Sequence, residues 1–190
     1  MDTILAISLG IGLSAASGFR LFVPMLGLSI AVMTGYLEPA EGFAWIGSWP
    51  ALIAFGVATM IEIGVYYIPW LDNVLDTLAT PVAFAAGSVL AASVLVDLPS
   101  FVQWMLAIIA GGGVAGAVQL GTAALRGQSS LTTAGMGNFV VASFELLGAV
   151  LATVLAILLP LICLALVIWL LTFLIRKFLA PSGRRSTRQQ

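Results

Sequence analysis

The sequence contains no histidine and a single cysteine, Cys163. Without these residues the chain lacks the groups for an internal disulfide, a typical zinc site, a Cys-His nucleophilic pair or a Ser-His-Asp triad. A lone cysteine between Ile162 and Leu164 is typical of a small apolar packing residue. We therefore expect no metal site and no cofactor, and most enzyme classes lose their usual catalytic groups.

Charge is scarce as well. Only 8% of the 190 residues are charged and 61% are hydrophobic, whereas soluble domains carry charge on about a quarter of their residues. The net charge of −1 argues against a basic surface for nucleic acid. This composition predicts an integral protein of the cell membrane whose main partner is the lipid bilayer.

Long apolar runs predict the fold class. They lie near residues 3–35, 50–68, 80–96, 101–125 and 139–179, and they lack the alternating polarity of transmembrane strands. The first run is interrupted at Gly18-Phe19-Arg20 and Pro24, and the last run at Pro160. We expect an all-α, polytopic transmembrane bundle of about six helical segments, within a range of five to seven, with interrupted helices.

The basic residues predict the topology. Most of them lie near the C-terminus, at Arg176, Lys177, Arg184, Arg185 and Arg188. Because positively charged residues concentrate on the cytoplasmic side of membranes, residues 180–190 are predicted to form a cytoplasmic tail after a transmembrane domain at residues 1–179.

Two stripes of small residues suggest an internal repeat. The first stripe is Gly10, Ser14 and Gly18, and the second is Gly113, Ala117 and Gly121. Such stripes predict close helix packing. Each stripe is followed by an arginine, Arg20 or Arg126, and later by a glutamate, Glu62 or Glu145. The pattern is compatible with an inverted repeat of halves 1–97 and 98–179, but small-residue stripes are also common in unrelated membrane helices.

Arg20 and Glu62 are the clearest functional candidates. Arg20 lies about 17 residues into its apolar run and Glu62 about 12 residues into the next. A charge at mid-membrane costs on the order of 2.5–3.5 kcal/mol, so each needs a partner, a cavity or the end of a span. We expect the two side chains to form an ion pair or to line one polar cavity. A salt bridge that only locks helices together is the other interpretation.

Further polar residues extend this set. Asp72 and Asp76 are one helical turn apart, where they would bind a cation, hold a proton or face water. In the second half the polar candidates are Gln119, Asn138 and Glu145. For Gln119, a hydrogen bond between closely packed helices is the structural alternative. The predicted transport or binding residues are Arg20, Glu62, Asp72, Asp76, Gln119, Asn138 and Glu145.

Several of these residues stand in a recognisable pattern: Gly18-Phe19-Arg20 with Pro24, Glu62 before Ile68-Pro69-Trp70-Leu71-Asp72 and Asp76, and Gly135-Met136-Gly137-Asn138 before Glu145. In this the chain resembles an uncharacterised bacterial membrane family, the domain of unknown function four-one-two-six, over nearly its whole length. It departs from that family's pattern at Tyr66 and Leu146, where acids are usual, at Phe139, where proline is usual, and near Ala142, where serine is usual. The resemblance implies no substrate.

Two functions fit these features. The first is a small transporter or channel for an ion or small solute, with a slight preference for cations or protons because four acids accompany two arginines in or near the core. The second is a membrane scaffold held together by buried ion pairs and small-residue contacts, and a homo-oligomer, such as a homodimer, is compatible with either. A membrane enzyme ranks third, since only carboxylates remain for general acid–base chemistry.

Overall fold

Helices make up all the regular structure that the computed structural model describes. It describes the backbone of residues 2–66, 69–133 and 136–179, and the side chains of these residues except 69–77 and 177–179. The α-helices are α1 (Thr3–Phe19), α2 (Phe22–Met33), α3 (Trp49–Val65), α4 (Pro69–Val94), α5 (Ser100–Leu106), α6 (Gly113–Thr133), α7 (Asn138–Leu158) and α8 (Pro160–Leu179). A 3-10 turn, Ala44–Gly47, precedes α3, and a π-helical segment, Ala107–Gly112, joins α5 to α6. The predicted all-α class is confirmed.

The helix count follows from the interruptions in the sequence. Ser100–Thr133 forms one continuous helix of 34 residues, so the described part of the chain contains seven helices, one more than the six expected. The extra helix arises because both interrupted runs divide, the first between α1 and α2 and the last at Leu159, between α7 and α8. Pro160 lies at the first position of α8, where its missing N–H costs no hydrogen bond.

Two helices within the described residues are long and apolar enough to cross a membrane. They are Ser100–Thr133 and Asn138–Leu158, while the other apolar helical stretches have 10–17 residues. At 1.5 Å per residue, the 12-residue α2 is only about 18 Å long.

The chain reverses direction between α1 and α2. A Cβ on Gly12 in α1 would lie 2.7 Å from the Cβ of Ala156 in α7, whereas Arg20 contacts Ala142, near the start of α7. α2 then runs back along α7, with Gly27 beside Thr153. Leu9, near the start of α1, and Gly35, after the end of α2, line one cavity. α1 and α2 therefore form a helical hairpin with Arg20 at its tip.

The hairpin tip lies away from the bundle end that carries the long loops. We call that end the loop end and define it by residues 34–48 and 95–99. α3 runs from the loop end towards the tip, because Ser48 directly precedes α3 and Glu62, near its end, contacts Leu21 and Phe22. α6 and α7 meet at the opposite end, where the Asn138 amide donates to Ser130 Oγ.

α1 is the central helix of the bundle and packs against α4, α6, α7 and α8. Gly10 and Ser14 face α4: a Cβ on Gly10 would lie 3.3 Å from Ala91 Cα, and Ser14 Oγ donates to the Gly87 carbonyl oxygen at 2.8 Å. Gly18 faces α6, since a Cβ there would lie 2.6 Å from the Ala115 carbonyl oxygen. The first small-residue stripe thus lies where backbones approach closely, although its members meet two different helices.

The second small-residue stripe, Gly113, Ala117 and Gly121, does not lie on the packed face of α6 as predicted. Gly113 and Ala117 are exposed, and a Cβ on Gly113 would meet nothing within 4 Å. Only Gly121 is buried, against the Leu174 side chain of α8. The buried face of α6 instead runs through Ala115, Gln119, Thr122 and Arg126. A stripe of small residues on an apolar helix therefore did not mark the packed face, because both faces of that helix are apolar enough to bury.

The two halves of the chain do not have the same helix pattern. α1 ends at Phe19, before Arg20, whereas α6 continues through Arg126 to Thr133. α1 of the first half also packs against α6, α7 and α8 of the second. The inverted repeat and the boundary at residue 97 remain predictions. Residues 180–190 lie outside the described residues.

Candidate functional site

Arg20 occupies the break between α1 and α2, and the residue is only 2% exposed. Its backbone is extended, with φ −147° and ψ 126°, and its N–H donates to the Ala16 carbonyl oxygen, which ends α1. Nη2 donates to the Ala142 carbonyl oxygen of α7 at 2.8 Å. Nε and Nη1 have no hydrogen-bond partner in the described structure. A buried polar group without a partner costs free energy, and Arg20 has two such N–H donor groups at the hairpin tip.

Glu145 provides the carboxylate that faces Arg20. Glu145 Oε2 lies 3.7 Å from Arg20 Nη2, and the Glu145 side chain is itself buried on α7. Arg126 of α6 hydrogen-bonds the same carboxylate through two nitrogens: Nε donates to Oε1 at 2.9 Å and Nη2 donates to Oε2. This two-point geometry is the strong form of an arginine–carboxylate interaction. One glutamate thus faces two buried arginines.

Tyr66 completes the cluster. Its ring centroid lies 3.8 Å from Arg20 Cζ and 4.3 Å from Arg126 Cζ. The negative face of an aromatic ring attracts a guanidinium, and the attraction strengthens when water is excluded. Tyr66 directly follows α3, so residues from α3, α6, α7 and the α1–α2 junction meet here. We call Arg20, Tyr66, Arg126 and Glu145 the arginine cluster.

Glu62 does not form the ion pair with Arg20 that the sequence suggested. Its Oε1 accepts the Leu21 N–H at 2.7 Å and its Oε2 accepts the Phe22 N–H at 3.0 Å. These are the first backbone N–H groups of α2, which have no partner within their own helix and carry the positive end of its dipole. The reversal at Arg20 exposes these groups inside the bundle, so Glu62 satisfies them and Arg20 faces Glu145 instead.

Glu62→Gln is expected to loosen the hairpin tip. The amide can accept only one of the two N–H bonds and has no charge to complement the helix dipole, so we expect a loss of about 1–2 kcal/mol of stability. Hydrogen exchange measured by mass spectrometry should accelerate at Leu21 and Phe22. Exchange in α8 serves as the internal control, and unchanged exchange at the tip would contradict the capping role.

The remaining predicted residues lie outside these contacts. Gln119 is buried on α6, seven residues before Arg126 and thus about 10 Å along the helix, and its Nε2 has no partner in the described structure. Asn138 begins α7, and its amide bonds Ser130 at the end of α6. Asp72 and Asp76 are in α4, but their side chains lie outside the described residues.

Two members of the arginine cluster were not among the predicted site residues. In the sequence, Arg126 stands out only as the arginine that follows the second small-residue stripe, and Tyr66 only as a position where an acid is usual in the family pattern that the chain resembles. A signal for Arg126 was present, since it lies seven residues after Gln119 and therefore on the same helix face. For Tyr66 we find no such signal.

Chemically, the arginine cluster is rich in donors. Two guanidinium groups and the first two N–H groups of α2 converge, and the acceptors that contact them include Glu62, Glu145 and the Ala142 carbonyl oxygen. Such an arrangement attracts oxygen acceptors. In the described part of the chain, no group of three acids or cysteines could hold a metal ion.

The family described as "Domain of unknown function (DUF4126)" matches residues 7–179. The chain belongs to this family. The match covers the α1–α2 hairpin from residue 7 onwards and every residue of the arginine cluster. Comparisons with curated proteins and with solved structures find no match. Membership in the DUF4126 family therefore identifies the domain without assigning it an activity.

Proposed function

We propose that this chain is a multi-pass membrane protein that moves an ion or a small solute. The observation that carries the proposal is Arg20, a buried arginine with two unmet donor groups at the tip of a broken helix. Discontinuous helices whose N-termini and polar residues meet inside a bundle are the recurring substrate sites of secondary transporters.

The outer surface supports a membrane location. Large apolar side chains are exposed along the outer faces of the bundle, for example Met60 at 76% on α3, Phe144 at 70% on α7 and Trp169 at 65% on α8. Soluble proteins rarely leave extended apolar surface in water, whereas lipid covers it without cost. α2, at about 18 Å, is too short to cross a hydrocarbon core of about 30 Å, which suits a hairpin that enters and returns on one side.

The basic residues suggest the orientation. Arg176 lies near the end of α8, and Leu174, two residues earlier, packs beside Gly121 of α6, away from the loop end. By the preference of positive charge for the cytoplasm, that end and the C-terminal tail would be cytoplasmic, and the loop end would face outwards.

A cavity lies at the loop end of the bundle. It has a volume of about 910 Å³ and is lined by Glu38, Glu41, Asp97 and Gln103 among others. Between this cavity and the arginine cluster, Gly10, Ser14, Gly87 and Gly111 pack closely across α1, α4 and the π-helical segment. The arrangement suits a transporter that is open on one side and closed on the other.

A scaffold is the second candidate, and one observation favours it. Arg126 and Glu145 form a buried two-point ion pair that would fix α6 to α7 without any solute. A scaffold would not use the open donors of Arg20, so the two candidates differ in what reaches that residue. A homo-oligomer remains a prediction in either case.

Purified protein in liposomes tests transport. We expect flux of at least one of protons, sodium, potassium, chloride and inorganic phosphate above the rate of empty vesicles. Arg20→Ala should lower this flux at least about tenfold, because one charge-assisted hydrogen bond is worth about 1.5–3 kcal/mol, and Glu62→Gln should change it. Arg176→Gln, which removes an exposed arginine, is the matched control. No flux of any of these ions would contradict the ion-transport proposal.

A further inference from the structure

The geometry points to an anion site at the hairpin tip, where Arg20 and the N-terminus of α2 together would bind a carboxylate or phosphate group of a small solute. This inference rests on the proposed transport function and names its substrate class. It also reverses the slight preference for cations or protons that the count of acidic residues suggested.

The described structure of this site lacks hydrogen-bond acceptors for two donor groups of Arg20. Nε and Nη1 of Arg20 are buried donors without a partner. In contrast, both Glu62 oxygens accept backbone N–H groups and both Glu145 oxygens accept donors from Arg126. A cation would find these carboxylate oxygens engaged, whereas an anion with two or more oxygens would complete the hydrogen bonding of the guanidinium.

Glu62 already places a carboxylate at the N-terminus of α2. Its carboxylate lies at the first N–H groups of the 12-residue α2, which is where anions bind at helix N-termini. These groups belong to Leu21 and Phe22, the two residues directly after Arg20. Glu62 therefore acts as a tethered anion at the two residues that follow Arg20, and a free carboxylate or phosphate would compete with it for the same N–H groups.

This competition predicts opposite effects for two substitutions. Arg20→Lys keeps the positive charge but removes the planar donor set, so we expect phosphate affinity to fall about 10- to 100-fold. Glu62→Gln removes a competing negative charge, so we expect affinity to rise about tenfold. A purely structural role for Glu62 would not give tighter binding when its charge is removed.

Binding can be observed at Arg20 itself. The chain has six arginines, so NMR spectra of the protein in detergent, with isotope-labelled arginine, contain only a few side-chain Nε–H signals. The signal that disappears in the Arg20→Lys variant belongs to Arg20. Addition of inorganic phosphate, and separately of acetate, at constant ionic strength should shift this signal to saturation. The signal lost in Arg176→Lys should not move, which makes that variant the control. An Arg20 signal that does not respond to either probe would overturn the inference.

Two further measurements distinguish a free anion from a lipid phosphate, and the anion site from the transport function. Repeating the measurement in nanodiscs of phosphatidylglycerol and of phosphatidylcholine distinguishes a free solute from a lipid phosphate. A response only to phosphatidylglycerol overturns the soluble-solute assignment. Phosphate binding without flux in liposomes supports the site and contradicts transport. Cation flux without phosphate or acetate binding supports transport and overturns the anion class.

Discussion

Glu145→Gln is expected to lower the free energy of unfolding by about 3–5 kcal/mol, because it leaves two buried arginines without the carboxylate that faces both. The amide keeps the size of the side chain, so the loss reports charge and hydrogen bonding and not packing. Chemical unfolding of the protein in detergent micelles, followed by circular dichroism, measures the change.

The control for this variant is Glu41→Gln. Glu41 is an exposed residue of the loop end, and its replacement should change stability by no more than about 0.5 kcal/mol. A loss below about 1 kcal/mol for Glu145→Gln would mean that the arginines find other partners at little cost, which would contradict the central place of Glu145 in the cluster.

Gly18→Val is expected to cost about 3 kcal/mol and to displace the hairpin tip. Its Cβ would lie 2.6 Å from the Ala115 carbonyl oxygen and 2.6 Å from Val118 Cβ of α6. A backbone carbonyl within a helix cannot move aside as a flexible side chain can, so α1 and α6 must separate. Because Arg20 is only two residues further along the chain, we also expect the NMR signal of its Nε–H group to shift.

Gly113→Ala is the control for this packing prediction. A Cβ at Gly113 would meet nothing within 4 Å, so the exchange should be neutral or stabilise the helix by up to about 1 kcal/mol. Unfolding of the two variants under the same conditions decides the point. Equal stability of Gly18→Val and the wild type would contradict the close approach of α1 and α6.

Most helices could be predicted from the sequence because apolar runs and proline or glycine breaks are local signals. The break near Arg20 was also located in this way. Its geometry was not, because a kink and a full reversal have the same local sequence. The reversal depends on α2 packing against α3 and α7, which are distant along the chain.

The candidate site was only partly predictable. The cost of burying charge identifies Arg20, Glu62 and Glu145 individually, but it does not say which groups meet. Glu62 contacts the α2 N-terminus because the reversal leaves backbone N–H groups without partners, and this requirement appears only once the chain is folded. In the same way, only the three-dimensional fold reveals that Tyr66 lies against both arginines.

The proposed function requires a polar solute to reach Arg20, and thiol labelling tests this most directly. In a Cys163→Ala background, cysteine is introduced at Ala142, whose carbonyl oxygen contacts Arg20, or at Ala149, which shares the buried face of α7. We predict that a membrane-impermeant thiol reagent modifies Ala142→Cys in liposomes, that phosphate slows this reaction, and that Ala149→Cys does not react. If Ala142→Cys is as inert as Ala149→Cys while both react after unfolding, the cluster is sealed and the transport account is wrong.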